Sequence, residues 1–376
     1  MSANRPIVSF TISISQSISA IIAYNKIHNT SPEDKNKFNK LYNDNIDKIK
    51  QYLSNFNFSN DSKKPIKDLN KLNEKLLREL YAANIMNNNL GDITKIAASD
   101  IKEKIDLLTY SFPCQDLSIC GKGLGMAENA NTRSSLLWNV YRLLNELKDE
   151  EKLPKYLLLE NVVAINNKKN KKDLNLFKDK LSQLGYTSYD LILDSSNFGI
   201  PQKRQRFYMV SILNSQKQEI IIKERKLNYK LKDFINFNDL KNANREEQYV
   251  KNIEENIRQN DIAKNKILNT KFTKLNVYPT FQQANIVTGI NCDTIPTITF
   301  SGENSRQRIL GIINNQYSVR QLGSKENFLL MGFTETDYNR LKKNDSILRD
   351  SIINSLAGNS IVVNVLEEIF KQMFEL

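Results

Sequence analysis

From residue 100 to 215 this chain alternates short apolar runs with amphipathic segments, and no other feature restricts its fold as much. "IDLLTYSF" (105–112), "YLLLENV" (156–162) and "RFYMVSIL" (206–213) are short and apolar, as buried strands are. Between them, "SSLLWNVYRLLNEL" (134–147) and "DLNLFKDKLSQLG" (173–185) carry apolar residues at helical spacing, and Gly185 stops the second. Strand–helix alternation predicts an α/β fold with a largely parallel sheet covered on both faces. Ligands bind such sheets at the carboxyl ends of the strands. Cys114, in "YSFPCQDLSIC" (110–120), and Glu160, in "LLLENV", both fall at that end of their strands.

The flanking segments read differently. Residues 7–15 alternate Val8, Phe10, Ile12 and Ile14 with Ser9, Thr11, Ser13 and Ser15, a strand period. Ile18, Ile21, Ile22 and Ile27 then recur at helical spacing. Residues 31–60 are polar and Lys/Asn-rich, which predicts a helical insertion on the surface, and 66–84 again show helical periodicity. Residues 216–318 break the rhythm, with short strand-like pieces such as "TIPTITFSG" (294–302), and predict a separate small domain. Residues 351–370 predict a closing helix with a Gly-Asn-Ser turn ahead of it.

Lys and Arg number 54 against 42 Asp and Glu, a formal charge of +12 over 376 residues. That surplus suits a polyanion such as nucleic acid; the abundance of Asn, Lys and Ile also fits an AT-rich genome. Cys114, Cys120 and Cys292 form neither a CxxC pair nor an even framework, which points to a reducing cytoplasm and away from structural zinc. The single histidine, His28, lies far from Cys114 in sequence and argues against a Cys–His hydrolase. The uncharged stretch 7–24 follows Arg5, but its alternating Ser and Thr are unlike a signal peptide. The reading is a soluble cytoplasmic bacterial protein.

Taken together, "SFPCQDLS", "LLLENV" and "IPQKRQRFYMV" resemble the DNA cytosine-C5 methyltransferases, especially the CpG-type enzymes of mollicute bacteria. "DITKI" (92–96), "NTRSSLLWNV" (131–140), "SVRQLGSKENFLLMGF" (318–333) and "AGNSIVVNVLEEIF" (357–370) extend the resemblance in order. It implies a Rossmann-like S-adenosylmethionine-dependent methyltransferase sheet with a smaller target-recognition domain. The implied catalytic domain covers 1–215 with a polar insertion at about 31–90, recognition covers 216–335, and 336–376 return to the catalytic domain.

The resemblance also implies roles. C5 of cytosine is a poor nucleophile; addition of a thiolate at C6 makes C5 an enamine carbon able to take a sulfonium methyl group. Cys114 matches that thiolate, Glu160 the carboxyl at N3, Arg206 the group near O2 and Arg204 a brace. Gln202 completes the QxRxR pattern and is counted with the DNA contacts. The base must be flipped out of the duplex. Residues 120–134, with Gly121, Gly123 and Gly125, match the loop that closes over DNA, where Lys122 and Arg133 would meet phosphates. "PTITFSGENSR" (296–306) resembles the CpG recognition segment, with Ser301, Gly302 and Glu303 at base edges and Arg306 at a phosphate or guanine. For S-adenosylmethionine the implied contacts are Asp92 and Ile93 at adenine, with Pro113, Leu136 and Asn359 lining the pocket.

One part of the family pattern is missing. A glycine-rich turn after the first strand and an acid after the second normally grip this cofactor, yet the first glycine here is Gly91 and the first carboxylate Glu33. One alignment places Ser15 and Gln16 at the acid and aromatic positions, and another makes "FTISISQ" (10–16) the turn. Serine suits the close backbone approach poorly. Three readings follow: a restriction–modification type methyltransferase with an altered amino-terminal segment, one subunit of a split enzyme whose partner supplies the glycine-rich strand, or a DNA-binding protein without catalysis. A tRNA methyltransferase of the same superfamily fits less well, because the recognition region is long.

Overall fold

The structure is a computed structural model that describes residues 14–60, 65–113, 117, 126–127, 136–225, 229–237, 247–273, 275, 277, 286–299, 307–343 and 347–374. The chain forms two compact units, Met1–Ile192 with Arg206–Ile220, and Leu193–Gln205 with Ile221–Leu376.

The first unit opens with helices α1 (Ile18–His28), α2 (Pro32–Tyr42), α3 (Ile46–Leu53) and α4 (Glu74–Met86). Ser17, Ser31, Asn45 and Asn73 cap them by accepting amide hydrogen bonds at the N-termini. α2 buries no residue, as a polar surface helix should. α3 buries Ile49 and Leu53, and α4 buries Leu77, Leu80, Tyr81 and Ala83, so this stretch contributes core as well as surface. The helical periodicity expected over 66–84 is realised from residue 74 to 86. The strand expected at 7–15 lies almost wholly outside the described residues.

The sheet of this unit runs β1 (Leu107–Tyr110), β2 (Tyr156–Val162), β5 (Gln205–Leu213), β3 (Tyr186–Asp194) in spatial order. Helices α5 (Leu137–Asp149) and α6 (Lys171–Gln183) come before and after β2. Leu157, Leu159, Phe207 and Met209 form one core with Leu137, Val140 and Leu144 of α5 and Phe177 and Leu181 of α6. Gly185, at φ +94°, turns the chain from α6 into β3, as its position predicted. The expectation of a largely parallel sheet needs correction. β1 and β2 are parallel, but β2 and β5 are antiparallel. β5 follows its other neighbour β3, and a parallel neighbour requires a long crossover, usually helical; residues 195–204 between them hold only a 3-10 turn and the two-residue strand β4 (Gln202–Lys203), so the chain reverses into β5.

The second unit holds α7 (Glu247–Gln259), β6 (Lys271–Phe272), β7 (Val287–Gly289), β8 (Ile295–Pro296), β9 (Arg308–Ile313) and β10 (Gln316–Gln321). It ends with α8 (Ser324–Leu329), α9 (Glu335–Lys342), α10 (Asp350–Asn359) and α11 (Val363–Phe374). Its sheet order is β10-β9-β7-β6, with β4 and β8 paired separately. Asn314 and Asn315, at φ +49° and +62°, make the tight β9–β10 turn. The closing helix is α11, and the Gly-Asn-Ser turn expected ahead of it falls where α10 ends, with Ser360 extended; residues 351–359 before that turn are themselves helical. Among the described residues no helix is long and apolar enough to cross a membrane.

Candidate active site

The parallel register sets Tyr110 opposite Leu159, so the residues after β1 come level with Glu160 and Asn161. Side chains join the two strand ends. Ser111 donates its hydroxyl to Glu160 Oε2 at 3.2 Å, and Asn161 donates Nδ2 to the Phe112 carbonyl at 3.0 Å. On the other side of β2, Glu160 pairs with Tyr208 across the antiparallel ladder, which makes Arg206 its diagonal neighbour on the same face. Arg206 Nε lies 3.4 Å from Glu160 Oε1. Glu160 is 9% exposed, and a carboxyl this buried is costly unless it is paired. Cys114 follows Pro113 directly in sequence and lies outside the described residues, as do Cys120, Lys122, Arg133, Ser301, Gly302, Glu303 and Arg306. Tyr110 is a packing ring and not a proton carrier, because burial holds its phenol far above the usual range.

Arg204 and Gln202 belong to the second unit and are internal braces there. Arg204, 4% exposed, donates Nη1 to the Ile298 carbonyl at 2.8 Å, and Nη2 to Gly358 at 3.0 Å and Ser360 at 2.8 Å. The last two carbonyls sit where α10 ends and leaves acceptors unpaired. The expectation that Gln202 contacts DNA is corrected. It is fully buried, donates to the Leu330 carbonyl at 2.8 Å and accepts from the Ile298 amide at 2.8 Å. A side chain spent this way fixes the loop around Ile298 and presents nothing to a base edge.

The turn proposed for adenine starts at Gly91, whose φ of +91° a Cβ-bearing residue rarely adopts. Asp92 Oδ1 accepts from the Thr94 amide at 3.0 Å and hydroxyl at 2.8 Å, closing an Asx turn. Among the described residues, Asp92 Oδ2 and the Ile93 amide find no partner. That leaves an acceptor beside a donor, the complement of an adenine N6 amine and N1, so these residues fit the base of S-adenosylmethionine. Pro113 and Leu136 are half-buried in the same unit; Asn359 is exposed at the end of α10 in the other. Two contributors escaped the sequence reading. Ser111 becomes visible once "SFPC" and "ENV" are taken as adjacent parallel strand ends. Asn89 exchanges two bonds of 2.9 Å with the Ser15 backbone, imitating a strand partner just before Gly91; its signal was the Asn run ahead of that glycine.

The α/β sheet with a paired carboxyl at its strand ends has the fold of a Rossmann-like, S-adenosylmethionine-dependent methyltransferase. The model of the C-5 cytosine-specific DNA methylase family matches residues 69–375. The chain is 33% identical over 360 residues to the type II methyltransferase M2.ScrFI of Lactococcus lactis subsp. cremoris, covering 94% of this chain and 89% of that protein. It is also 33% identical over 375 residues to the orphan methyltransferase M.SssI of Spiroplasma monobiae, covering 95% and 88%. Among solved structures, the Entamoeba histolytica methyltransferase EhMeth superposes with a TM-score of 0.57 at 16% identity, covering 98% of this chain and 99% of that one. The S. pombe Dnmt2 methyltransferase gives 0.55 at 17%, covering 97% and 98%. The chain therefore belongs to the C-5 cytosine-specific DNA methylase family. It is a DNA cytosine-5-methyltransferase that uses S-adenosylmethionine as methyl donor.

Proposed function

We propose that the chain methylates cytosine in double-stranded DNA, at CpG, through covalent catalysis by Cys114. The observation that carries this reading is the clasp of Ser111, Glu160, Asn161 and Arg206 at the carboxyl ends of β1, β2 and the facing end of β5. It ties the backbone that leads into Cys114 to a buried carboxyl. Cys114 forms the bond to C6 of the extruded base, which pushes electron density towards N3. Glu160 shares a proton with N3 and steadies the charge that develops there. Arg206 holds Glu160 through Nε and serves O2. Arg204 and Gln202 act as internal braces of the second unit, with no direct part in the chemistry. S-adenosylmethionine would be held by Asp92 and Ile93 with Pro113 and Leu136 and would supply the electrophilic methyl group to C5; loss of the C5 proton then breaks the C6–sulfur bond and returns Cys114 as the thiolate.

Residues 216–335 serve as the target-recognition domain, with Ser301, Gly302 and Arg306 at the DNA and Lys122 and Arg133 on phosphates. The catalytic domain comprises 1–215. A type II relative supports a place in restriction–modification, and the cytoplasm is where such DNA is met. The absence of glycine before Gly91 also bears on a complementing subunit that would supply a glycine-rich strand.

The test uses the isolated chain, S-adenosylmethionine and a duplex with 5-fluorocytosine at CpG. The expected result is a covalent protein–DNA adduct that Cys114→Ser abolishes. An adduct that survives in Cys114→Ser overturns the nucleophile, and one formed equally at cytosines outside CpG overturns the target. An adduct formed only after a second polypeptide is added replaces the single-chain reading by the split one.

A further inference from the structure

We propose that Arg142, partnered by Glu146, is a positioning residue for the cofactor: it holds the 91–98 turn in the shape that presents Asp92 and Ile93 to adenine. The inference rests on the cofactor reading of that turn given above.

Arg142 projects from the middle of α5. Its Nη2 donates to the carbonyls of Ile93 and Ile96, each at 2.8 Å, and its Nη1 to Glu146 Oε1 one helical turn on. Glu146 closes the loop, its Oε2 accepting the Ala98 amide at 3.0 Å. Two side chains of one helix thus grip residues 93, 96 and 98 of a segment that begins with no regular structure of its own. Within the turn itself, the Lys95 amide donates to the Asp92 carbonyl at 2.9 Å, and Asp92 holds Thr94. The Lys95–Asp92 bond orients the peptide plane that carries the Ile93 amide; the next plane, from the Ile93 carbonyl to the Thr94 amide, is held by Asp92 at one end and from outside the turn at the other. The Arg142 bond to the Ile93 carbonyl fixes that next plane, and with it the course of the turn beyond the Ile93 amide, and it leaves that amide and Asp92 Oδ2 available.

The chemistry requires arginine. A planar guanidinium can serve two carbonyls and a carboxylate at once; a lysine ammonium lacks the fork. Stability alone explains the pair poorly. Arg142 and Glu146 side chains are 37% and 36% exposed, and an exposed i,i+4 pair contributes little to folding. The attachment of the segment to α5 has another source: Ile96, Ala98 and Ile101 pack with Leu143 and Leu147 in a buried apolar cluster. The cluster holds the segment on the helix, and the polar grip sets the turn's orientation.

The experiment measures cofactor binding by calorimetry on the full chain, with S-adenosylhomocysteine and its inosine counterpart as probes. The inosine form replaces the N6 amine by a carbonyl and protonates N1, so an Asp92/Ile93 edge in the right geometry rejects it. Arg142→Met is expected to weaken S-adenosylhomocysteine about tenfold, the size of one lost charge-assisted hydrogen bond. It is also expected to shrink the preference over the inosine form by a similar factor. KM for S-adenosylmethionine should rise while kcat at saturating cofactor and KM for DNA stay within about twofold, because binding of substrate and transition state is lost alike. Arg142→Lys should restore part of the preference, and Arg142→Met with Asp92→Asn should cost less than the sum of the two. If Arg142→Met does not fold, Glu146→Gln carries the test with a smaller shift in the same direction. Equal affinity and preference in a folded variant, with only the melting temperature lowered, overturns this inference alone. Failure of the wild-type chain to prefer the adenine form overturns the cofactor reading and this inference with it.

Discussion

Arg204 and Arg206 stand two residues apart and are spent in opposite ways. Arg204, in the second unit, is 4% exposed and its fork is occupied by the carbonyls of Ile298, Gly358 and Ser360. Arg206, in the first unit, faces the ionisable side chain of Glu160 at 3.4 Å. A cation surrounded by main-chain acceptors organises the backbone and has little left for a ligand. A cation beside a carboxyl at a strand end shapes the chemistry of that carboxyl. A sequence motif supplies residue types, and the partners each residue finds decide which role it plays.

The largest effects expected of this contrast lie on the Glu160 side. Glu160→Gln should lower turnover by about 10²–10⁴-fold, the range of a positioned acid–base group, with S-adenosylmethionine affinity retained. Arg206→Met should lower it by about 10²-fold, as loss of one charge-stabilising donor does. Methyl incorporation into duplex DNA and calorimetry together read both. A normal rate in Glu160→Gln would break the comparison at its strongest point.

Arg204→Met should act on stability. Three carbonyls lose their donor, two of them in buried contacts, and urea unfolding should show a loss of roughly 2–4 kcal/mol. Turnover per folded molecule should fall far less than in Arg206→Met. A variant that unfolds like the wild type yet has lost turnover would place Arg204 at the base and erase the distinction.

The smallest effect sharpens the same lesson on cysteine. Burial pushes the Cys292 thiol above its usual range, so its thiolate fraction at neutral pH is low, and alkylation should become appreciable only as pH rises. Cys292→Ser should leave methylation unchanged. Rapid loss of activity to iodoacetamide at neutral pH that Cys292→Ser prevents would contradict this.

Much of the fold was legible because local pattern and tertiary environment agree. The strand at 156–162 was read to the residue, and Gly185 marked the end of α6, because apolar runs and a left-handed turn leave direct traces in sequence. Strand direction left none. Periodicity reports burial, and β5 is buried whether it runs parallel or antiparallel, so only the short 195–204 connection reveals its sense. The break at Ser360 was announced by Gly358-Asn359-Ser360, while the helix ahead of that turn, α10, was not set apart from the closing one. The β9–β10 turn was written plainly as Asn314–Asn315 but sat inside a region read only as irregular.

At the site, Glu160 and the paired arginines were named from sequence, while Ser111, Asn89 and the true place of Gln202 were not. The chain's order of residues by itself determined the family pattern, the strand ends at which chemistry gathers and the acidic turn at Asp92. These are local properties, set by composition and spacing within a few residues. Only the tertiary structure decided which polar groups meet: Ser111 with Glu160 across 49 positions, Arg204 with Ser360 across 156, Arg142 with Ile93 across 49. Hydrogen bonds act over about 3 Å. The neighbours that define a role are therefore created by packing, and spacing along the chain carries no record of them.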